Sequence, residues 1–548
     1  MNKRNIFRLV LPVLVILLFA GVSYGQDEDD GLKKVVIFEK ETKLELPSAV
    51  RQYEKISYEQ PVGENKPLDY DFSEVDLRLP KMDMKVKVPT IKPPELKKLY
   101  GNYVKAGFGN YATPYLEGYF NNKRSEDYTY GLHFRHLSSQ RGPVRWAGTS
   151  NNDVSAYGKY FMGSSVASAR IGYQRNMVHY YGFNPVMEFD RDTLRQVYNI
   201  FSAQADISNS DKDAAMHYNA GVEFYNLSSR MFAAENEIIG RLNTTYHIDN
   251  TYSLNLKGMY STSSRSEGIT QTRNYVLVQP GFLINREQYS LRTGVNVAYS
   301  NDTLNDPSEV HFYPDIELNY HFIKNKLTFF GGLTGELEKN VLRTFVDQNP
   351  FLGSGVPLSH TNKTMELYGG AKGHILEKLN YKAQVSYSTY RNLWFFVNSP
   401  EDSSRFTLMY DPGNSTVLNL SGNASYEVSR RLRLGLTTEF FNYSVNTEQA
   451  WHRPSFINTF NASYNLHDKI FFNTDIYYIS GISARNFTTG QTFDLPSIVD
   501  MNVKIDYRFS PLFSAFVEAN NILSKNYQRY LYYPVRGVNI LGGLTYSF

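Results

Sequence analysis

The 548-residue sequence contains no cysteine. Disulfide bonds are therefore excluded, and so are a thiolate metal site and a lipid attached through an N-terminal cysteine. Tryptophan is scarce as well, at 3 residues, whereas the chain has 43 tyrosines and 35 phenylalanines. Aromatic residues make up 15% of the chain, yet its mean hydropathy is −0.42. Soluble cores rely more on Leu, Ile and Val, so this composition argues against the several soluble domains that the length would suggest.

Long apolar runs are missing apart from one near the N-terminus. That run, Leu9 to Val22, follows basic residues and precedes the small residues Ser23 and Gly25, which is the order of a secretory signal peptide. A membrane anchor is the alternative, but the run is shorter than the roughly 20 residues that a spanning helix needs. We predict a cleaved signal peptide over residues 1–25. An exported chain without a later apolar helix is either a secreted soluble protein or an outer-membrane β-barrel.

From Tyr100 onward, segments of strand-like sequence alternate between apolar and polar residues. In the stretch "VDMNVKIDYRF", Val503, Ile505 and Tyr507 fall on one face, and Lys504 and Asp506 fall on the other. A soluble β-sandwich alternates too, but these segments are longer than the usual five or six residues of soluble strands and suit a tilted bilayer crossing. Aromatic residues gather near the segment ends, as interfacial girdles require. The pattern favours an all-β transmembrane antiparallel barrel over residues 100–548.

The connections between these segments alternate between short polar turns and longer, variable loops. Outer-membrane barrels have short periplasmic turns and longer outer loops, so the alternation is typical of them. An even strand count requires "VSRR" to be a periplasmic turn, which puts residues 405–411 inside the outer loop at 391–414. The resulting count is 22 strands, with 20 and 24 as the alternatives. Residues 26–99 are proline-rich and densely charged, and we predict an extended periplasmic or lumenal segment there.

The C-terminal stretch 510–548 carries a recognisable combination of residues. Asn520 and Leu523 precede a tyrosine-rich loop, and a Pro-x-x-Gly turn at Pro534 and Gly537 leads into the last strand. This stretch resembles the C-terminal end of TonB-dependent outer-membrane receptors, in the form found in Bacteroidetes. The resemblance implies a 22-stranded barrel that takes part in transport, and it implies TonB as a partner.

The last strand also resembles the signal that the barrel-assembly machinery reads. Gly543, Tyr546 and Phe548 match that signal, although Leu541 stands where the signal has a polar residue. The residues before the barrel depart from the family, because residues 26–99 show no plug-like sequence. Within them, residues 33–40 are a candidate for the extended segment that pairs with TonB.

Catalytic patterns are absent, and we predict that the chain is not an enzyme and needs no cofactor. The 11 histidines are dispersed, and no Gly-x-Ser-x-Gly sequence occurs. Asp302, Asp306 and Glu309 could hold Ca²⁺, but a solvated acidic loop explains them as well, so no metal site is predicted. A net charge of +3 with interleaved acids and bases does not indicate nucleic-acid binding.

The aromatic residues of the predicted outer loops are the candidate ligand contacts. Such side chains stack on ligands, but they serve equally well in loop-to-loop packing. The candidates are Trp146, Tyr180, Tyr181, Trp394, Phe395, Phe396 and Trp451.

Two functions follow from the sequence as alternatives. The first is a receptor-like outer-membrane protein that moves a solute or polymer, with membrane lipid around it and TonB or another periplasmic partner at residues 26–99. The second is a non-transporting scaffold or accessory subunit of a secretion or surface-assembly system. A surface lipoprotein is a further candidate partner.

Overall fold

A computed structural model describes residues 100–548, except for residues 124, 184–189, 212, 232, 303–308 and 377. In this part of the chain the regular structure is almost all β-strand, with one short helix, α1, at Leu342–Gln348. The described part holds no helix of the length and apolar character that crossing a membrane requires. The signal peptide predicted at residues 1–25 and the extended segment predicted at residues 26–99 lie outside the described residues.

Twenty-two strands form one antiparallel sheet. They are β1 (Tyr103–Gly109), β2 (Thr113–Asn121), β3 (Tyr128–Ser139), β4 (Thr149–Met162), β5 (Ser165–His179), β6 (Arg195–Asn209), β7 (Met216–Ser229), β8 (Ala234–His247), β9 (Tyr252–Glu267), β10 (Ile269–Asn285), β11 (Tyr289–Ser300), β12 (Glu309–Ile323), β13 (Leu327–Glu338), β14 (Thr361–Ile375), β15 (Leu379–Arg391), β18 (Asn414–Ser429), β19 (Leu432–Ser444), β20 (Phe456–Leu466), β21 (Ile470–Ser480), β24 (Ile498–Arg508), β25 (Phe513–Asn520) and β28 (Asn539–Ser547). The remaining strands form three small hairpins in loops: β16 (Trp394–Asn398) with β17 (Phe406–Tyr410), β22 (Ile482–Asn486) with β23 (Gln491–Leu495), and β26 (Gln528–Tyr530) with β27 (Tyr533–Pro534).

The large sheet closes into a barrel because its first and last strands pair. Tyr103 of β1 lies opposite Ser547 of β28, and the pairing continues to Gly109 opposite Leu541. The predicted fold class and the count of 22 strands are confirmed. Residues 405–411 do lie in a loop, since β17 pairs with β16 and not with a barrel strand.

The outside of the barrel is apolar. In β28 the side chains of Ile540, Leu544 and Tyr546 are exposed, while Thr545 lies on the opposite face and is partly covered. The same alternation recurs in the other barrel strands, as the sequence pattern predicted. A closed ring satisfies its backbone hydrogen bonds internally, so this apolar exterior suits contact with lipid.

The two ends of the barrel differ in their connections. At one end, the short-turn end, the connections include residues 163–164 and 430–431. At the other end, the long-loop end, they include residues 339–360 and 392–413. The long-loop end also has tight connections, such as the single residue Gly268 between β9 and β10, so the predicted alternation of short and long connections holds only in part.

Strand pairing stops early at the seam between β12 and β13. The last pair toward the long-loop end is Ile316 opposite Leu333. Beyond it, β12 stays paired with β11, and β13 stays paired with β14. The two arms therefore part from each other, and we call this place the fork. Asp315 of β12 and Thr334 of β13 are the first residues that have no partner across this seam.

The sequence at the fork explains why pairing stops. On β12, the next residue beyond Asp315 is Pro314, and proline has no N–H to donate to a ladder. On β13, the register shifts between Thr334 and Glu336, which marks a bulge around Gly335. The Tyr313 ring fills the space beside that bulge, since a Cβ at Gly335 would lie 2.8 Å from its Cδ1 atom.

Candidate functional site

The loops of the long-loop end pack against one another. We define the cap as residues 180–183, 339–360, 392–413, 445–455 and 521–538. Its interior is a cluster of buried apolar side chains, contributed by these loops and by the inner faces of β6 to β8. The cap is the most extensive packed assembly of loops in the described part of the chain, and we take it as the candidate functional site.

One contact shows that the cap crosses the mouth of the barrel. The Arg405 guanidinium lies 4.9 Å from the centre of the Tyr180 ring. Tyr180 directly follows β5, the fifth strand of the ring, and Arg405 belongs to the loop before β18, the sixteenth. Strands eleven places apart in a ring of 22 lie on opposite sides of it. The two loops therefore meet across the mouth.

The loop at 339–360 joins this contact from a third direction. The Tyr180 hydroxyl donates a hydrogen bond to the carbonyl oxygen of Leu352 at 2.5 Å. Leu352 also forms a parallel bridge with Phe406, and the backbone N–H of Phe406 donates to the Phe351 carbonyl at 2.9 Å. Main-chain hydrogen bonds thus hold the loops 339–360 and 392–413 together.

Tyr533 ties the C-terminal loop into the same cluster. Its ring stacks on Phe351 at a centroid distance of 3.9 Å and lies 4.7 Å from the ring of Tyr181. Its hydroxyl donates a hydrogen bond to the carbonyl oxygen of Ser404. Tyr533 is fully buried, so the tyrosine-rich loop of the sequence motif serves here as packing within the cap.

His452 joins three loops through its ring nitrogens. Nδ1 lies 2.8 Å from the Phe396 carbonyl oxygen, which can only accept, so Nδ1 carries the hydrogen. Nε2 then accepts a hydrogen bond from the backbone N–H of Leu531 at 3.3 Å. Burial, with a smaller contribution from the nearby Arg529 guanidinium, lowers the pKa of His452 from 6.5 to about 4. The neutral imidazole is therefore the form that the closed cap requires.

Helix α1 lies on the inner wall of the barrel and carries part of the cap. Its residues Leu342, Phe345 and Val346 are buried in the cluster with inward-facing Tyr198 and Leu227 of β6 and β7. The helix begins without a side-chain cap of its own from Val341. A wall residue supplies one instead.

That wall residue is Glu235 of β8, which is completely buried. Its carboxylate accepts the backbone N–H groups of Leu342 at 2.8 Å and Arg343 at 3.1 Å, and the Tyr225 hydroxyl at 2.9 Å. Helix N-termini have unsatisfied N–H groups and a partial positive charge, so a carboxylate suits this position.

Two further buried glutamates bind the same segment. Glu223 lies 3.3 Å from the Arg343 guanidinium and 2.8 Å from that of Arg241. Glu237 pairs with Lys339, the first residue of the loop. We call Glu223, Glu235 and Glu237 the glutamate anchor. The acids Glu235 and Glu237 are visible in the sequence as the alternating residues of "AENEII" on β8. No sequence pattern near them indicated that a helix from a distant loop would contact them.

The predicted ligand-contacting aromatics lie mostly inside the cap. Tyr180, Phe395, Phe396 and Trp451 are buried, with Trp451 only 1% exposed. Tyr181 and Trp394 are partly buried, and Trp394 packs against Phe345 and Phe396. Loop-to-loop packing is thus what the structure shows for these six residues, and ligand contact stays a prediction.

Trp146 lies apart from the other candidates. It is half-buried in the loop after β3, where the guanidinium groups of Arg145 and Arg191 lie 4.7 and 5.5 Å from its ring. Its contact with a ligand likewise stays a prediction.

The acidic residues considered for Ca²⁺ do not form a site within the described residues, where no group of three His, Asp or Glu side chains is placed to hold a metal. Asp302 is buried and accepts the backbone N–H of His360 at 2.6 Å, with the Arg273 guanidinium 3.9 Å away. Asp306 lies outside the described residues.

Neither a protein-family model nor a curated protein matches the sequence. Solved structures do match. The FrpB iron transporter from Neisseria meningitidis aligns with a TM-score of 0.64 at 9% identity, over 83% of this chain and 82% of that one. The siderophore receptor PiuA from Acinetobacter baumannii has a TM-score of 0.61 at 9% identity, over 82% of each chain. The ferric-catecholate import receptor Fiu from E. coli K12 has a TM-score of 0.62 at 9% identity, also over 82% of each chain.

The fold is that of the outer-membrane siderophore receptors. This receptor fold agrees with the resemblance found in the C-terminal 39 residues. The prediction that no plug domain precedes the barrel concerns residues 26–99, which lie outside the described residues.

Proposed function

We propose that the protein lies in the outer membrane and transports a solute or polymer through its lumen, with the cap as the gate. The observation that carries this proposal is the contact of Arg405 with Tyr180 across the mouth. A ring of 22 strands encloses a wide lumen, and barrels of that size are plugged in other transporters. A mouth spanned by loops from opposite walls of the barrel suits a passage that opens and closes.

The solved structures of similar fold support the same function. They are those of an iron transporter, a siderophore receptor and a ferric-catecholate import receptor. We extend transport to this chain on the basis of the fold and the cap, and a ferric catecholate is the first solute to test.

The proposal gives residues 26–99 a role as the contact for TonB or another periplasmic partner, and it keeps a surface lipoprotein as a candidate partner above the cap. It also keeps the cleaved signal peptide at residues 1–25, recognition of Gly543, Tyr546 and Phe548 by the barrel-assembly machinery, and the absence of enzymatic activity.

Single-channel conductance in planar lipid bilayers tests the proposal. The full chain should conduct little, a variant lacking residues 26–98 should show altered gating, and a variant lacking residues 395–410 should conduct strongly. The cap deletion is the decisive arm. If conductance stays low without that part of the cap, the lumen is not the passage. This result would support the alternative function as a non-transporting scaffold. Copurification of TonB with the full chain but not with the 26–98 deletion would support the partner assignment.

A further inference from the structure

A polar cavity of about 200 Å³ lies on the lumen side of the wall at the fork, lined by side chains of β9 to β14. Asp315 and Thr334, the first unpaired residues of the two arms, both line it. Pockets for whole drug-sized ligands span roughly 300–1,000 Å³, so this cavity suits one polar group and not an entire large solute. We call it the fork pocket.

The charges of the fork pocket are paired except for one cation. Arg292 lies 3.3 Å from Asp315, and Lys363 lies 2.7 Å from Glu336. Lys257 of β9 also lines the pocket, and within the described residues its ammonium group has no hydrogen-bond or ion-pair partner. The wall beside it carries the amides of Asn255 and Gln279, whereas the amide of Asn296 already donates to the Gly335 carbonyl oxygen. A small anionic group with further acceptors for the amides would suit this surface.

Apolar side chains also lie beside the fork, both in the lumen and on the outside. On the lumen side, Tyr275, Ala298, Tyr313 and Leu337 form a buried cluster. On the outside, Phe312 is 70% exposed, and it lies on the arm of β12 that is no longer paired with β13. The fork therefore lies between an apolar exterior and a lumen pocket with an unpaired cation.

Side chains hold the fork closed where the ladder is missing. The Tyr313 hydroxyl donates to Asn362 Oδ1, and Asn296 Nδ2 donates to the Gly335 carbonyl, both at 2.8 Å. A hydrogen bond of this kind contributes about 0.5–1.5 kcal/mol, so opening here is far easier than separating two fully paired strands. In lipid, an unpaired strand edge is costly, and side-chain closure reduces that cost.

We propose that the fork is a side passage between the lumen and the lipid for an amphiphile with an anionic head group. The head group binds in the fork pocket beside Lys257, and the acyl chain lies in the fork. Tyr313 is the residue that closes the passage. This proposal rests on the proposed function, for which it names the class of solute.

Lipid-soluble quenching tests the passage without any measurement of transport. Because the chain has no cysteine, a single introduced cysteine is a unique labelling site. The full chain is labelled with a fluorophore at Thr334→Cys and reconstituted into vesicles of phospholipid with brominated acyl chains. The controls are Phe312→Cys on the exterior and Ser155→Cys in β4, where pairing is continuous on both sides.

The label at residue 334 should be quenched several-fold more than the label at residue 155, and more by brominated phosphatidylglycerol than by brominated phosphatidylcholine. Lys257→Gln should abolish the preference for the anionic lipid, and Tyr313→Ala should increase quenching in both. Equal quenching at residues 334 and 155, including in the Tyr313→Ala background, would show that the fork is only structural. Protection of the label by glycerol phosphate without lipid quenching would assign the pocket to a soluble anion and overturn the passage.

These outcomes are independent of the cap experiment. Strong quenching at residue 334 with unchanged conductance after cap deletion would keep the lipid contact and refute transport through the mouth. Equal quenching at residues 334 and 155, together with strong conductance after cap deletion, would refute the side passage and support the cap as the gate.

Discussion

The Arg405 guanidinium lies over the ring of Tyr180, and this contact joins two loops from opposite sides of the barrel. Cation–π contacts contribute about 0.5–2 kcal/mol, and removal of a large buried aromatic side chain costs roughly 3–5 kcal/mol. We therefore expect Arg405→Ala to raise the frequency of open events in planar bilayers modestly, and Tyr180→Ala to raise it strongly.

The chain offers a matched control for this first prediction. The Arg145 guanidinium lies 4.7 Å from the Trp146 ring, but both residues belong to the same loop. Arg145→Ala should therefore leave conductance unchanged. A similar rise in the Arg145 variant would mean that any loosening of a loop opens the lumen, and the contact across the mouth would lose its special role.

Acid should open the cap through His452. Its pKa is lowered from 6.5 to about 4, so below pH 6.5 the released histidine takes a proton that the buried one does not. The stability that the neutral imidazole gives the closed cap is complete above pH 6.5 and is lost as the pH falls toward 4. The full change is roughly 3 kcal/mol at about 1.4 kcal/mol per pKa unit. Open events should become more frequent between pH 7 and pH 5.

Variants of His452 check the origin of this pH dependence. His452→Ala should raise open events at pH 7 and reduce their dependence on pH. Burial also lowers the pKa of His360 well below its usual value, and the Arg273 guanidinium adds to the effect, so the remaining dependence should disappear in the double variant. If the pH dependence of open events is unchanged in His452→Ala and in the double variant, groups other than these two histidines cause the opening in acid.

Loss of the Glu235 carboxylate should detach helix α1 from the wall. Glu235→Ala leaves two helix N–H groups and the Tyr225 hydroxyl without their acceptor in a buried place. Each such loss costs about 1–3 kcal/mol. We expect protease cleavage within residues 339–360 of the reconstituted protein, while the barrel keeps its heat-modifiable migration on gels.

Glu235→Gln is the matched variant, because its amide oxygen can still accept the two backbone hydrogen bonds. It should resist protease far better than Glu235→Ala. Equal cleavage of the two variants would show that the negative charge, and not the acceptor geometry, holds the helix.

Gly543 should be required for barrel closure for steric reasons. It lies opposite Gly107 in the pairing of β1 with β28, and a Cβ at residue 543 would lie 2.0 Å from the Ala106 carbonyl oxygen. Gly543→Ala should therefore lower the free energy of unfolding in urea by more than the 1–3 kcal/mol typical of overpacking.

Gly422→Ala in β18 is the control for closure, since a Cβ there meets nothing within 4 Å. It should be close to neutral. If Gly543→Ala unfolds like wild type but fails to reach the membrane in cells, recognition by the assembly machinery explains the glycine better than packing does.

The barrel could be predicted from the sequence because its information is local. Alternation within a segment such as 499–509 assigns faces, and an even strand count put residues 405–411 in a loop. The cap could not be predicted, because its contacts join residues far apart, as when Tyr533 donates to the Ser404 carbonyl across 129 positions. The sequence did single out Trp394, Phe395 and Phe396, but aromatic character alone does not distinguish packing from ligand contact.

The fork shows a second limit of sequence reasoning. Pro314 is visible in the sequence as a residue that weakens a ladder, yet proline also occurs in β10 at Pro280, where pairing with β9 continues and pairing with β11 lapses only at residues 279–280 before it resumes. The difference lies on the neighbouring strand, in the bulge around Gly335. Only the register of both strands together reveals where the wall divides.

The pairing of β1 with β28 also sets an order of events during biogenesis. Lys105 and Glu518, which meet beside this seam, are 413 positions apart, so their contact is among the last that a growing chain can form. Until then both terminal strands expose unpaired edges, and such edges invite aggregation. Newly made chains therefore depend on chaperones to shield these edges until the ring is complete.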